Sequence, residues 1–440
     1  MFLIYSLLYS LGVVLTAPYY LWRLRGKILS GAGWRERFGF LPVMFRQDEV
    51  GAIWVHAVSV GETLAVVGLV LELRRRFPAR KVFLSHVTPA GREACAACLP
   101  GLAGWFYLPL DWAWVVRRVV RHLRPALLVI VETELWPNLL RAAHESGARV
   151  VLVNARLSDR SLARYRLVRP FMRRVLQMVT CICAQSPADA ARFRMLGAVS
   201  ERVVVTGNMK FDATPPQVGE ISQQLGRALQ LARRGPVLVA ASTMPGEEAR
   251  LLPVWAEIHR FHPTALLILA PRHPARFDAV AQFLGQKRLA CVRRTALAAD
   301  VQQLASQIAA AEIVLLDSIG ELAGLFELAD LVFMGGSLVP TGGHNLLEAA
   351  FWAKAILFGP YMWNFRDIAQ LFLQARAARQ VRDAQELSRA ALELLGDAGR
   401  RRELGRAAKQ VLETHAGATE RVLEHLKECL GNDTQAKEQG

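Results

Sequence analysis

Acidic side chains are in short supply in this chain: 38 Asp and Glu stand against 54 Lys and Arg among 440 residues, for a formal charge of +16. Such a surplus favours an acidic partner, whether nucleic acid, anionic lipid or an anionic substrate, without choosing among them. Cysteine is scarce too. Six in this length cannot form a disulfide framework, and they are not grouped as a structural zinc site requires, so a reducing cytoplasm fits. Cys95 and Cys98 make a CxxC, but no second pair or nearby His completes it, and it reads as one side of a helix. No GxxxxGK[ST] loop occurs, which excludes a P-loop ATPase. No GxGxxG follows the first apolar strand, which argues against a dinucleotide-dependent redox enzyme. The histidines show no metal-ligand spacing, and His344 reads as a loop hydrogen-bonder, so neither a metal nor a cofactor is expected.

What is present is globular: 52% apolar and 21% charged residues, in a chain too long for one ordinary core. Residues 1–22 carry no charged side chain and are followed by Arg23, Arg25 and Lys27. That length could cross a bilayer, and the charge on its far side predicts a single N-terminal anchor with the following domains in the cytoplasm. Tyr5, Tyr9, Tyr19, Tyr20 and Trp22 suit membrane interfaces, while Pro18 would also allow a helix lying in one leaflet.

Two series of short apolar runs follow, each separated by helix-length segments. AIWVHAV, KVFLSHV, ALLVIVE, RVVLVNA, TCICAQS and RVVVTGN form the first; PVLVAAS, ALLILAP, EIVLLDS, DLVFMGG and KAILFGP form the second. This is the pattern of βαβ units, so two doubly wound α/β domains are predicted. The boundary falls in FDATPPQVGE, residues 211–220, where paired prolines interrupt regular structure. The expected division is an anchor over 1–22, an acceptor-binding domain over 23–212, a linker over 213–235, a nucleotide-binding domain over 236–400, and helices with a frayed tail over 401–440.

In open parallel sheets ligands sit beyond the carboxyl ends of the strands. HAVSVGET, after the first strand, looks like a phosphate loop, yet it places Glu62 in the first helical turn. ETELWPN puts Glu132 and Glu134 at another strand end, and GNMKFD puts Lys210 at a third, where it could neutralise developing negative charge. In the second half LAPRHPARF sets Arg272 and His273 after a strand, and DSIGEL sets Ile319, Gly320 and Glu321 after the next. GGSLVPTGGHNLLEAA runs into a helix with Asn345 at its start and Glu348 one turn in. Such amides suit one phosphate, and the carboxylate suits ribose hydroxyls, so this reads as a nucleotide site. Between these motifs, residues 154–174 carry seven Arg against the single acid Asp159, and one helix displaying Arg156, Arg160, Arg164 and Arg173 would offer a surface to anionic headgroups or a phosphorylated acceptor.

Taken together and in this order, WRERFGF, HAVSVGET, ETELWPN, NARLSDRS, GNMKFD, PRHPARF, SIGEL, GGHNLLEAA and FGPYMWNF resemble the 3-deoxy-D-manno-octulosonic acid (Kdo) transferases of lipopolysaccharide assembly, over nearly the whole chain. The resemblance implies a GT-B glycosyltransferase, two Rossmann-like domains facing a cleft with the final helices returning to the first. It implies CMP-Kdo as donor, lipid IVA as acceptor, and a place at the cytoplasmic face of the bacterial inner membrane among its lipids. By motif it implies Glu62 as general base, Glu132 and Lys210 as transition-state support, and CMP contacts from Pro271, Arg272, Ile319, Gly320, Glu321, Asn345, Leu346, Leu347 and Glu348. The chain departs from the family in LLEAA, where a proline often follows the Asn. A helix dipole is expected to keep Glu62 ionised near neutral pH.

The rivals are another GT-B enzyme using a UDP-sugar, or a sugar-nucleotide 2-epimerase on the same plan; an epimerase would not need the anchor or the arginine-rich segment, and would turn over a UDP-sugar without a lipid acceptor. A non-catalytic membrane-surface or nucleic-acid-binding protein would leave the strand-end carboxylates unexplained, and no aromatic-interleaved nucleic-acid motif is present, so nucleic acid is not an expected partner.

Overall fold

The computed structural model describes residues 1–18, 33–213 and 218–431 in full, and the backbone alone of 19–23, 31–32 and 432–438. The chain forms two compact units, one of Met1–Thr214 with His415–Gly440, the other of Pro215–Thr414.

The first unit is built on β1 (Ala52–His56), β2 (Val82–His86), β3 (Gly104–Tyr107), β4 (Pro125–Val131), β5 (Arg149–Ala155), β6 (Cys181–Ala184) and β7 (Val203–Val205), in the order β3-β2-β1-β4-β5-β6-β7. Every pairing is parallel, with Trp54 opposite Phe83 on one side and Leu128 on the other. All seven residues of β4 are buried, as a central strand covered on both faces requires. One face packs Trp54, Phe83, Phe106, Leu128 and Leu152 under the helices that follow β3 and β4; the other packs Ile53, Val55, Val129 and Val151. That second face is closed by the last helix, Ala418–Glu438, through Val422, Leu423 and Leu426.

The second unit carries β8 (Val237–Thr243), β9 (Leu266–Pro271), β10 (Cys291–Arg293), β11 (Ile313–Leu315), β12 (Leu331–Met334), β13 (Ala355–Phe358) and β14 (Arg379–Gln380), in the order β10-β11-β9-β8-β12-β13-β14, again all parallel. Strand order therefore reverses between β1 and β4 in the first sheet and between β8 and β12 in the second. Those are the two crevices where a doubly wound sheet receives ligands. Residues 213–235, expected as a linker, contain the helix Glu220–Leu231, whose Leu225, Ala228 and Leu229 are buried in the second unit.

The first helix corrects an expectation. Among the described residues no helix is long and apolar enough to cross a membrane. One face of Phe2–Arg23 is instead bound to the first unit: Tyr5 Oη donates to Asp111 Oδ2 (2.8 Å), Tyr9 Oη accepts from the Asp111 amide (3.2 Å), Ser6 Oγ accepts from Asn138 Nδ2 (3.0 Å) and Ser10 Oγ from Trp112 Nε1 (2.8 Å). Phe2 and Tyr5 both pack on Phe171. A helix pinned alongside its own domain by four hydroxyls does not stand away from it as a span. The opposite face, with Leu3, Leu7, Leu11, Val14 and Leu15, is exposed. The expected interfacial side chains Tyr19, Tyr20 and Trp22, and the basic Arg23, Arg25 and Lys27, lie outside the described residues.

Candidate active site

The β1 crevice places Glu62 by a capping arrangement. Ser59 leaves the strand in extended conformation and caps the helix Val60–Arg76, its Oγ accepting from the Glu62 amide (3.4 Å). Glu62 reaches back, its Oε2 accepting from the Val58 amide (2.8 Å) and its Oε1 from Ser59 Oγ (3.0 Å). The carboxylate is half-buried, and burial is the largest influence on it. Against the Val58 hydrogen bond, burial lifts its pKa to about 7, with the negative charges of Glu132 and Glu134 adding in the same direction. Desolvation thus works against the helix terminus that was expected to keep Glu62 ionised near neutral pH, and the group sits where a proton can be taken or given at small cost.

Its neighbours come from the ends of β4 and from the turn after β7. Glu132 follows β4 with a φ of +58°, a left-handed conformation unusual outside glycine, and Lys210 Nζ donates to its Oε1 at 3.0 Å. Burial also raises Glu134, whose Oε2 accepts from Trp136 Nε1. The Lys210 segment is held by Asn154, another residue of positive φ at a strand end, whose Oδ1 accepts the Met209 amide (3.0 Å). Three carboxyls and one ammonium thus gather around the first switch point. Such a group can accept a proton from a hydroxyl while holding a cation beside the reacting centre.

In the second unit Pro271 ends β9, and the Arg272 amide donates to the Thr243 carbonyl (3.0 Å), drawing this turn against β8. Arg272 is the electrostatic neighbour of the GGHN segment: burial, then Arg272 and His273, push His344 down to about 4, and Arg272 opposes the upward effect of burial on Glu348. The helix expected to start at Asn345 is a single turn, Leu347–Phe351, and Asn345 Oδ1 already accepts the Leu347 amide (3.2 Å). Leu346 and Leu347 are wholly buried. Ile319 is exposed and Gly320 turns with a φ of +88°, while Glu321 is paired with Arg294 (2.6 Å) and with Ser318 Oγ. Gly320, Glu321 and Arg294 line a cavity of about 510 Å³.

The arginine-rich segment is two helices, Asp159–Arg166 and Arg169–Leu176, where one was expected. Pro170 has no amide to donate back to Arg166, so the first helix ends there. Arg160, Arg164 and Arg173 are exposed, Arg156 is half-buried at the end of β5, and the break leaves Leu167 and Val168 exposed between Arg166 and Arg169. Among the described residues no three His, Cys, Asp or Glu side chains are placed to share a metal ion.

Sequence reasoning missed Glu247 and Glu248. They stand in TMPGEEARLL, directly after β8, in the second unit's counterpart of the loop that carries Glu62. The Glu247 carboxylate accepts four backbone amides, those of Met244, Gly336, Ser337 and Leu338, at 2.6 to 3.1 Å. The strand-to-helix position was the available signal, and the adjacent glycine-rich stretch after β12 drew attention from it.

Residues 32–213 match the model of the family described as 3-deoxy-D-manno-octulosonic-acid transferase (kdotransferase). The chain is 34% identical over 436 residues to a 3-deoxy-D-manno-octulosonic acid transferase of Bordetella pertussis, covering 96% of this chain and 99% of that one. It is 32% identical over 397 residues to the enzyme of that name from Haemophilus influenzae, covering 90% and 91%. Among solved structures it is similar to UDP-GlcNAc 2-epimerase from Neisseria meningitidis bound to UDP-GlcNAc, with a TM-score of 0.57 and 14% identity over 86% of this chain and all of that one. Anabaena HepE in complex with UDP gives 0.54 and 14% over the same shares. At such identity these two likenesses establish the GT-B type of α/β fold alone.

Proposed function

Because this chain belongs to the 3-deoxy-D-manno-octulosonic acid (Kdo) transferase family, we propose that it moves Kdo from CMP-Kdo to the lipid A precursor lipid IVA, with inversion at the anomeric carbon. Kdo transfer in lipopolysaccharide biosynthesis is its activity. The observation that carries the finer reading is Glu62: a carboxyl at the first switch point, raised to about 7, beside a Lys–Glu pair.

Glu62 serves as the general base. As the acceptor hydroxyl oxygen attacks the anomeric carbon, its proton passes to Glu62, the bond from that carbon to the CMP phosphate oxygen breaks, and CMP leaves from the opposite face with the electron pair. Lys210, oriented by Glu132, offsets negative charge at the reacting centre. Arg272 and Pro271 meet the CMP phosphate with the backbone of Asn345–Leu347, Glu348 takes ribose hydroxyls, and Ile319, Gly320 and Glu321 border the nucleoside.

The acceptor reading rests on the surface of the first unit. Arg160, Arg164 and Arg173 are exposed and form no ion pair among the described residues, which suits the phosphates of a lipid acceptor. Leu3, Leu7, Leu11 and Leu15 form an exposed stripe at helical spacing. Phe171, on the second arginine-rich helix, packs against that same first helix. This supports an in-plane association with the cytoplasmic face of the bacterial inner membrane, through anionic lipids and the apolar stripe.

Incubation of the purified protein with CMP-Kdo and lipid IVA, followed by mass spectrometry, is expected to show lipid IVA gaining Kdo and CMP accumulating in equal amount. Turnover of a UDP-sugar with no gain in lipid mass would overturn the reading in favour of an epimerase.

A further inference from the structure

Glu247 and Glu248 are consecutive, almost wholly buried carboxylates, and each is bound to a different wall of the second switch point. Glu247 Oε2 accepts the amides of Met244 (3.1 Å) and Gly336 (2.6 Å); Oε1 accepts those of Ser337 (3.1 Å) and Leu338 (2.9 Å). A run of convergent amides beyond a strand is an anion nest of the kind that holds phosphate. Here the chain's own carboxylate fills it. The approach is close: a Cβ on Gly335 would lie 2.6 Å from the Ala241 carbonyl and 2.9 Å from Glu247 Oε2, so this turn tolerates only glycine.

What Glu247 fixes is passed on. The Gly336 carbonyl accepts the Gly343 amide (2.8 Å) and Thr341 Oγ1 (2.9 Å), and the His344 ring lies against Gly336, so the held turn sets where GGHNLLEAA begins. Glu248 acts on the other wall. Its Oε1 accepts Thr243 Oγ1 (2.7 Å) and its Oε2 pairs with Arg276 Nη2 (2.7 Å). Arg276 Nη1 and the Arg272 amide both donate to the Thr243 carbonyl, at 3.0 Å each. PRHPARF is thereby tied to the end of β8 through the same helix terminus that ties down the glycine-rich loop.

We propose that Glu247 and Glu248 are positioning residues for the donor site, an internal anion pair that fixes the spacing between the PRHPARF turn and the GGHNLLEAA turn. This rests on the assignment of those two turns to CMP. Neither carboxylate touches the nucleotide; Glu247 acts through the backbone amides it holds and Glu248 through the side chains of Thr243 and Arg276, and the phosphate is received at Arg272 and Asn345 because the nest after β12 is occupied. Glutamine is a poor substitute at 247, since its amide nitrogen would face backbone N–H groups and leave buried donors unpaired.

The test measures KM for CMP-Kdo and for the acceptor, kcat, and CMP affinity by calorimetry, in Glu247→Gln, Glu248→Gln and the milder Thr243→Val, with Arg272→Ala as reference. CMP affinity should fall about tenfold in each Glu variant that folds, and about threefold in Thr243→Val, on the scale of buried acceptors or donors removed. Acceptor KM should stay within about twofold. Arg276→Lys, which keeps one donor toward Glu248, should retain more CMP affinity than Arg276→Ala. Unchanged CMP affinity in Glu248→Gln and Thr243→Val, alongside a lowered melting temperature, overturns the proposal and leaves a purely structural role. Equal loss for donor and acceptor overturns it too. If Arg272→Ala itself leaves CMP affinity unchanged, it is the donor-site assignment that fails.

Discussion

Lys210 Nζ lies 3.0 Å from Glu132 Oε1, and the two side chains are 19% and 20% exposed. A pair this sheltered is screened less than a surface ion pair, and it costs more to break than to form. Its location, between the end of β4 and the turn after β7, sets the ammonium on Glu132, whose negative charge acts on both Glu62 and Glu134. In the proposed mechanism the same ammonium steadies the acidic cluster at rest and the charge that develops during transfer.

Lys210→Met is therefore expected to lower kcat roughly 10²- to 10³-fold, the usual cost of removing a preorganised donor. It should also raise the pH at which the remaining activity appears, because Glu132 is left uncompensated near Glu62. Steady-state rates across pH 5.5–9 check both; an unchanged pH midpoint would disconnect Lys210 from the base.

Glu62→Gln keeps an oxygen that can accept the Val58 amide and so preserves the helix start. Transfer is expected to fall at least about 10²-fold, since general-base contributions are of that order, with CMP affinity unaltered. Near-wild-type transfer to lipid IVA in this variant would remove Glu62 from the role of base.

With Glu62 raised to about 7, kcat/KM should rise with pH through that value, because only the ionised form takes a proton. The stability sign is opposite. A carboxyl whose folded pKa lies above its unfolded value of about 4.3 contributes fully below about pH 4.3 and loses that contribution as pH climbs through about 7. The melting temperature of the parent, relative to Glu62→Gln, should accordingly decline between pH 5 and pH 8. A parallel course of the two proteins would show that the fold does not perturb this group.

Replacing Arg160, Arg164 and Arg173 together with Ser should raise KM for the lipid acceptor about tenfold and flatten its dependence on ionic strength, while donor KM stays within about twofold. Binding to vesicles containing anionic lipid gives a second readout. Equal damage to donor and acceptor kinetics would point to misfolding.

Most strands were legible in the sequence as apolar or β-branched runs, among them PALLVIV at β4, VLVAAST at β8 and the short edge strand Val203–Val205. The three that escaped are edge strands: Gly104–Tyr107, Cys291–Arg293 and Arg379–Gln380 lie at sheet borders and have four, three and two residues; the last two have no long apolar run to mark them, and the first sits in an apolar stretch broken by Gly104 and Pro109. Motif position beyond a strand pointed to Glu62, Glu132 and Lys210. It could not show that burial rather than the helix dipole governs Glu62, because burial is a property of the folded packing and the added charges of Glu132 and Glu134 come from a loop seventy residues away in the chain. The first helix misled for a related reason. Tyr5, Ser6, Tyr9 and Ser10 carry no charge, so hydropathy counts them as compatible with lipid, whereas their hydroxyls bind Asp111, Asn138 and Trp112.

Asp111 gives that docking a practical meaning. Its carboxylate is buried, it caps the helix Pro137–Glu145 through the Asn138 and Leu139 amides, and Tyr5 closes over it. Cutting away the first eighteen residues to make the protein easier to handle would not trim a tether. It would open a seam, uncovering a carboxyl and the aromatic bed of Trp112 and Phe171, and so exchange one sticky surface for another.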